Sequence, residues 1–154
     1  MKTELTRDES RQLVHLGVPK SRASRMYWRE LCDSYGRPHK PGTYGYTKEG
    51  ICDLAHVPVR FGMTTYLKEP IFTHRDLMRL IPQTLCLGDR EFKFDLHQND
   101  WTELWCALYV GDGRTLWVCA HTEPINALFE MILWLIDRGW LTRENMSEDE
   151  SAIK

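Results

Sequence analysis

The sequence predicts an α+β domain in which a three-stranded antiparallel meander (about 91–121) is covered on one face by a long C-terminal helix (about 123–138). Two observations carry this prediction. Between residues 91 and 121 apolar residues recur with a period of two, which is the pattern of strands. The segment TEPINALFEMILWLIDRG then follows, and it is apolar around most of a helical circumference. Short helices are expected at the N-terminus.

The C-terminal helix has clear start and stop signals. Thr122 can cap its first turn, and Pro124 lacks the amide that this turn would leave unpaired. Gly139 can take the left-handed conformation that ends a helix. Because Glu130 and Asp137 interrupt the apolar run, it is unlike a membrane span, which needs about 20 apolar residues. We therefore expect a core helix and no membrane partner.

Three strands precede this helix and turn at Gln98-Asn99-Asp100 and at Gly111-Asp112-Gly113. One face of the second strand is aliphatic, whereas the opposite face is aromatic. We expect the helix to lie across the aliphatic face. The N-terminal helices should then pack against the aromatic side or at the edge of the sheet. The aliphatic face consists of Leu104, Cys106, Leu108 and Val110.

The first part of the chain shows two helix starts with a recognisable cap. Thr6-Arg-Asp-Glu9 has the spacing of a capping box, and Thr73-His-Arg-Asp76 is a similar start that Pro82 would end. Another helix is expected after Pro19. Residues 1–140 are predicted to form a single domain, and the acidic residues 141–154 a flexible tail.

Composition points to an ordinary globular protein. The 154 residues are 42% hydrophobic and 27% charged, with a net charge of -2. Five cysteines without a CxxC pair argue against a disulfide framework and favour a reducing compartment. No apolar stretch resembling a signal peptide follows Met1, so a cytoplasmic location is expected.

Three segments carry a resemblance: LTRDESRQLVHLGV, IFTHRDLMRLIP and PINALFEMILWLIDRGWL. With these segments the chain resembles a set of short uncharacterised proteins of bacterial prophages and mobile elements. The resemblance covers about half of the chain and rests on patterned, mostly structural residues. It implies no activity and no catalytic residue.

Aromatic side chains are the candidate binding residues. Trp101, Trp105 and Trp117 are expected on the aromatic sheet face, where exposed rings would form a platform for a partner. The alternative is that N-terminal residues bury this face. Ser34–Gly50, with four glycines and two prolines, is predicted to be a loop that presents three tyrosines, since long loops in compact domains are often functional. These are Tyr35, Tyr44 and Tyr46.

Two other functions remain as alternatives. The expected second helix would show Arg22, Arg25 and Arg29 on one face, where they could meet nucleic-acid phosphates, although such a stripe is usually a solvated face. An enzyme could use a Cys–His pair, either Cys52 with His56 or Cys119 with His121.

Known catalytic motifs give the enzyme alternative little support. The sequence has no P-loop, GxSxG, HExxH or GxGxxG, so we assign no catalytic residue, cofactor or metal ligand. The sequence therefore predicts a small cytoplasmic accessory protein that acts as a non-catalytic protein–protein interaction module. The expected partner is another protein. Pairing across an exposed sheet edge would give a homo-oligomer.

Overall fold

The computed structural model of the protein describes residues 1–32, 46–54 and 67–147. This part of the chain is α+β. A short 3-10 turn, Lys20–Arg22, lies between the first helix and the first strand. In chain order the elements are α1 (Arg7–His15), β1 (Arg25–Cys32), β2 (Tyr46–Asp53), β3 (Leu67–Ile71), α2 (His74–Leu80), β4 (Thr84–Leu87), β5 (Arg90–Gln98), β6 (Trp105–Gly111), β7 (Arg114–His121), α3 (Pro124–Asp137) and α4 (Arg143–Ser147).

The strands form two antiparallel sheets, so the predicted architecture of one three-stranded meander under a helix is wrong. The smaller sheet has the strand order β2-β1-β3, and the larger has the order β4-β5-β6-β7. The predicted meander corresponds to β5, β6 and β7. β4 extends it, with Leu85 opposite Phe92. With four residues, β4 is too short for its alternation to be distinguished from that of a loop.

α3 has 14 residues, so it is not the long helix of the prediction, and it covers the other face of the larger sheet. The Trp134 ring lies 5.3 Å from that of Trp117 and 6.4 Å from that of Tyr109, measured between centroids. On the opposite face Val110 and Val118 are 40% and 48% exposed. Because one aromatic side chain buries about 150–250 Å², covering the aromatic face removes more apolar surface from water.

The core lies between the helices and the aromatic face of the larger sheet. The two capping boxes predicted from the sequence are confirmed, at Thr6 with Glu9 and at Thr73 with Asp76. They fix where α1 and α2 begin and so direct their apolar sides inward. Fully buried core side chains include Leu13, Phe72, Leu77, Ile125, Leu128, Ile132 and Tyr109.

A buried carboxylate joins α2 to the start of β1. Asp76 is 3% exposed, and its Oδ2 accepts hydrogen bonds from the backbone amide of Thr73 at 2.9 Å and from that of Ser24 at 2.8 Å. The Ser24 hydroxyl donates a third, also at 2.8 Å. Three donors compensate the loss of hydration that burial imposes on the carboxylate. The Asp76 carboxylate of the α2 capping box thus also holds the residue before β1 against α2.

Ion pairs attach α1 to the edge of the smaller sheet. Glu69 on β3 accepts hydrogen bonds from Arg11 Nε at 2.7 Å and from Arg7 Nη2 at 2.9 Å. The Arg7 guanidinium also lies 3.8 Å from the centroid of the buried Tyr27 ring. The Arg11 hydrogen bond, supported by Arg7, lowers the pKa of Glu69 from 4.5 to about 2 although burial opposes it. α1 and β3 are therefore connected by charge as well as by packing.

The second N-terminal helix of the prediction is also wrong. β1 occupies Arg25–Cys32, and only the 3-10 turn lies between it and α1. Residues 25–32 pair with β2 on one side, and residues 25–29 also pair with β3 on the other, so strand partners satisfy backbone groups that a helix would bond internally.

The first half of the segment predicted as a flexible tail contains a short helix. Residues 141–147 include α4, and both Leu141 and Met146 are buried in the core. Two large apolar side chains supply enough burial to order a single helical turn, whereas charge alone had suggested flexibility. Residues 148–154 lie outside the described residues.

Candidate interaction surface

The three loop tyrosines contribute little to the described surface. Tyr35 and Tyr44 lie outside the described residues. Tyr46 is the first residue of β2, where its backbone pairs with Cys32, and its side chain is outside the description. Residues 46–50 of the predicted loop therefore belong to a strand, and binding through its tyrosines stays a prediction.

Trp105 and Trp117 both lie on the sheet face that α3 covers. Trp117 stacks on Trp134 with an angle of 5° between the ring planes, and its indole Nε1 donates to Cys119 Sγ at 3.0 Å. It nevertheless keeps 37% of its surface exposed. Trp105 is partly buried and pairs with His121 across the sheet. The Trp117 ring packs α3 onto the sheet, and both tryptophans keep part of their surface accessible to solvent.

Trp101 is placed very differently, because 96% of its surface is exposed. It lies in the turn between β5 and β6, which Asn99 organises. Asn99 Oδ1 accepts hydrogen bonds from the amides of Trp101 at 2.8 Å and of Thr102 at 3.1 Å. The Asn99 amide donates to Leu104 O, and the Glu103 amide donates to Asn99 O, both at 2.8 Å. The exposed indole is thus carried by a hydrogen-bonded turn.

The helix-free face of the larger sheet carries an apolar surface that we call the open strip. Its side chains come from the two strands farthest from β4, and they lie beside a polar row on β5. Lys93, Asp95 and His97 form that row, opposite Val110, Leu108 and Cys106 in the strand register. The open strip consists of Cys106, Leu108, Val110, Val118 and Ala120.

Exposure differs along the open strip. Val118 and Val110 are 48% and 40% exposed, whereas Leu108 is 9% exposed between them. Beyond the strip, Asp95 and His97 contact each other at 2.5 Å, so two of the three side chains in the neighbouring polar row pair within the same strand. The face therefore presents valine side chains next to a ready-made polar border. This arrangement, an apolar centre with a polar rim, is typical of protein interfaces.

Arg22, Arg25 and Arg29 do not form the stripe that the sequence suggested. Arg22 is the last residue of the 3-10 turn, and its Nη2 donates a hydrogen bond to Arg79 O at 3.3 Å. Arg25 Nε lies 3.3 Å from a Glu4 carboxylate oxygen and 3.9 Å from one of Asp53. These guanidinium groups therefore interact with protein oxygens. Arg29 lies in β1, where it pairs with Glu49 on one side and Leu67 on the other.

A groove between β7 and α3, lined by polar and apolar side chains, could not be foreseen from the sequence. It has a volume of about 370 Å³, and within it His121 Nε2 contacts the Glu130 carboxylate. Beside it Lys2 Nζ lies 2.7 Å from Glu9 Oε1 and 2.9 Å from Asn126 Oδ1. His121 lies at the end of β7, whereas Glu130 lies in α3. No local pattern signals that they meet.

The neighbouring thiol does not turn this groove into a nucleophilic site. Cys119 is 1% exposed, and burial, together with the Glu130 carboxylate, raises its pKa from 9.0 to about 12. A catalytic cysteine instead needs a lowered pKa and access to its substrate. The other candidate pair is incomplete in the described chain, since Cys52 lies in β2 and His56 is outside the described residues.

Within residues 1–32, 46–54 and 67–147, no three His, Cys, Asp or Glu side chains converge as metal ligands would. Over the same ranges no helix combines the length and the apolar character that crossing a bilayer requires.

Comparison with known proteins gives no relative from which a role could be transferred. No family model, no curated protein and no solved structure matches this chain.

Proposed function

We propose that this protein is a non-catalytic protein–protein interaction module, and that it contacts its partner through the Trp101 turn and the adjoining open strip. The observation that carries the proposal is the position of Trp101, which is 96% exposed on a hydrogen-bonded turn. A large aromatic side chain that the fold leaves in water gains most from burial against a second molecule. Tryptophan is also among the residues that dominate binding energy at protein interfaces.

The size of the expected contribution follows from area. An exposed tryptophan that becomes buried removes on the order of 200 Å² from water, which corresponds to about 5 kcal/mol before the costs of association. Asn99 reduces one of those costs, because its side chain already holds the amides of Trp101 and Thr102. Little backbone entropy is then lost when the turn binds.

The open strip supplies a second contact area close to the turn. Cys106 lies two residues after Leu104, near the start of β6, and Ala120 pairs with it across the sheet. Val118 lies next along the same face and is 48% exposed. Exposed apolar side chains that adjoin one another commonly mark an interaction site. The partner surface that fits this arrangement is apolar and offers a pocket for one indole ring.

Affinity purification with quantitative mass spectrometry tests the proposal. The Trp101→Ala variant should lose the partner that the unaltered protein retains, with a fall of at least about tenfold, which corresponds to 1.4 kcal/mol. Asp100→Ala is the matched control, because Asp100 is an exposed residue of the same turn. Retention of every partner by Trp101→Ala would contradict the proposal. Both variants should unfold at the temperature of the unaltered protein, since neither side chain is buried.

We also propose a cytoplasmic location and an accessory role in a prophage or mobile element. The first is supported by free thiols at Cys52, Cys86, Cys106 and Cys119, which suit a reducing compartment. The second is supported by the resemblance of the three sequence segments. Fractionation of the native host and the genes that neighbour this one would test the two proposals separately.

A further inference from the structure

β7 is an edge strand, and among the described residues nothing pairs with its outer side. It has eight residues and pairs only with β6 in the order β4-β5-β6-β7. None of the described residues donates a backbone hydrogen bond to its outer side or accepts one from it. An edge of this length presents a row of amides and carbonyls that can pair with another strand. Edge strands that remain single usually carry charged residues, proline or a bulge that discourages pairing.

The middle of β7 has little of this protection. Its only Lys, Arg, Asp or Glu is Arg114, at the first position. A register shift at Tyr109/Val110 disturbs the pairing near that end, and residues 117–121 then run regularly to His121. Val118 is 48% exposed and Ala120 is also exposed. The regular half of the edge is thus uncharged and accessible.

Charge along the edge favours one orientation of an incoming strand. Arg114 makes no ion pair with any residue of the described ranges, and it marks a positive end. The opposite end adjoins Glu123, whose Oε2 accepts a hydrogen bond from the Lys2 amide, and Glu130, which contacts His121. An antiparallel copy of the same strand would bring the positive end of each copy to the acidic end of the other.

The register of such a pair is restricted by the sheet faces. Residues that lie opposite each other must point to the same face. The two-fold axis must therefore pass between one residue and the same residue of the second copy. The register shift leaves one residue of β7 without a partner on β6 between Thr115 and Trp117, so Arg114 lies four ladder positions from Cys119 and on the same face. An axis at Cys119 then places Arg114 opposite Glu123 of the second copy, two residues beyond the end of β7.

We infer that β7 pairs antiparallel with β7 of a second copy of this chain, which joins the two larger sheets into one eight-stranded sheet. The partner is thus the chain itself, recognised by backbone hydrogen bonds and by two symmetric pairs of Arg114 with Glu123. The two open strips then become neighbours on one continuous face. This inference concerns the edge of the sheet and is independent of what the Trp101 turn binds.

Sedimentation velocity over a concentration series tests the inference. The unaltered protein should sediment as a dimer at about 100 µM, a concentration at which an interface with a micromolar Kd is occupied. Val118→Lys brings like charges together near the two-fold axis and should raise the dimer Kd at least about tenfold. Val110→Lys is the matched control, because it changes an equally exposed valine of the same face on the inner strand β6. Its Kd should stay within about twofold of the unaltered protein.

A charge exchange separates the edge pairing from any other dimer. Arg114→Glu and Glu123→Arg should each weaken the dimer, and the double variant should restore it, because the attraction is re-formed with the charges exchanged. Trp101→Ala should leave the dimer unchanged, so failure of this inference and failure of the proposed function give different results. A monomer at about 100 µM, an equal effect of the two lysine variants, or no recovery in the double variant would each overturn the inference.

Discussion

Glu69 gives the sharpest stability prediction, because it joins α1 to β3 through two arginines. We expect Glu69→Gln to destabilise the protein at pH 7. Lowering a pKa from 4.5 to about 2 corresponds to at most about 3 kcal/mol of stabilisation. The Glu69 side chain is 13% exposed but that of Arg11 is 52% exposed, so solvent screens the interaction. The expected loss is therefore roughly 1–2 kcal/mol.

The pH dependence identifies the cause of that loss. Because the pKa of Glu69 is lower in the folded protein than in the unfolded chain, its contribution is complete above about pH 4.5 and disappears as the pH falls towards about 2. The difference between the unaltered protein and Glu69→Gln should consequently shrink, to less than half by about pH 3. Other carboxyl groups titrate in both proteins and cancel in the difference.

Urea unfolding followed by circular dichroism at pH 7 and at about pH 3 provides the measurement. Glu91→Gln is the control for the removal of one negative charge, since Glu91 is an exposed residue of β5. It should change the free energy of unfolding by no more than about 0.5 kcal/mol. A Glu69→Gln effect of equal size at both pH values would refute the reasoning, because it would then arise from packing and not from the ionised carboxylate.

Two further predictions concern backbone geometry and a buried carboxylate. Gly111→Ala should cost about 2–3 kcal/mol of stability, because a Cβ there would lie 2.1 Å from the carbonyl oxygen of Glu91. Gly113→Ala should cost only about 1–2 kcal/mol, because its φ of 70° strains an alanine but the surrounding space is open. Equal midpoints in thermal unfolding would contradict this order. Asp76→Ala should cost about 3 kcal/mol of stability, because three donors lose their acceptor. Thr73→Ala should cost about 1 kcal/mol, because it removes the helix cap alone. Urea unfolding measures both costs, and equal costs would show that Asp76 acts only through the cap.

Local signals in the sequence predicted local structure well. Both capping boxes are present, because a cap depends only on residues three apart. The period of two between residues 91 and 121 likewise corresponds to β5, β6 and β7. Signals that need a distant partner failed. The sequence predicts a helix where β1 lies, although Tyr27 and Trp28 favour strands. The prediction failed because the pairing partners of β1 lie about 20 and 40 residues away along the chain.

The face that α3 covers could not be decided by periodicity. Both faces of β6 are apolar, so alternation gives the register of the strand but not the side on which a helix packs. The choice depends on how ring shapes fit, as in the stack of Trp117 on Trp134. For the same reason the sequence predicts that the helix covers the face that carries the open strip, which the structure contradicts. Trp101, which the sequence groups with Trp105 and Trp117 on one sheet face, instead lies in the turn before β6 and is 96% exposed.

The central claim is that α3 covers the aromatic face and leaves the open strip in water, and alkylation of neighbouring thiols tests it directly. Residues 118 and 119 are adjacent in β7 but point to opposite faces of the sheet. In a Val118→Cys variant, peptide mapping after a short exposure to iodoacetamide at pH 8 compares the introduced thiol with Cys119. Because burial raises the pKa of Cys119 from 9.0 to about 12, its thiolate is about 1,000-fold scarcer than that of an exposed thiol. We expect rapid modification at position 118 and none at Cys119 before unfolding. Equal or reversed rates would show that the helix covers the other face.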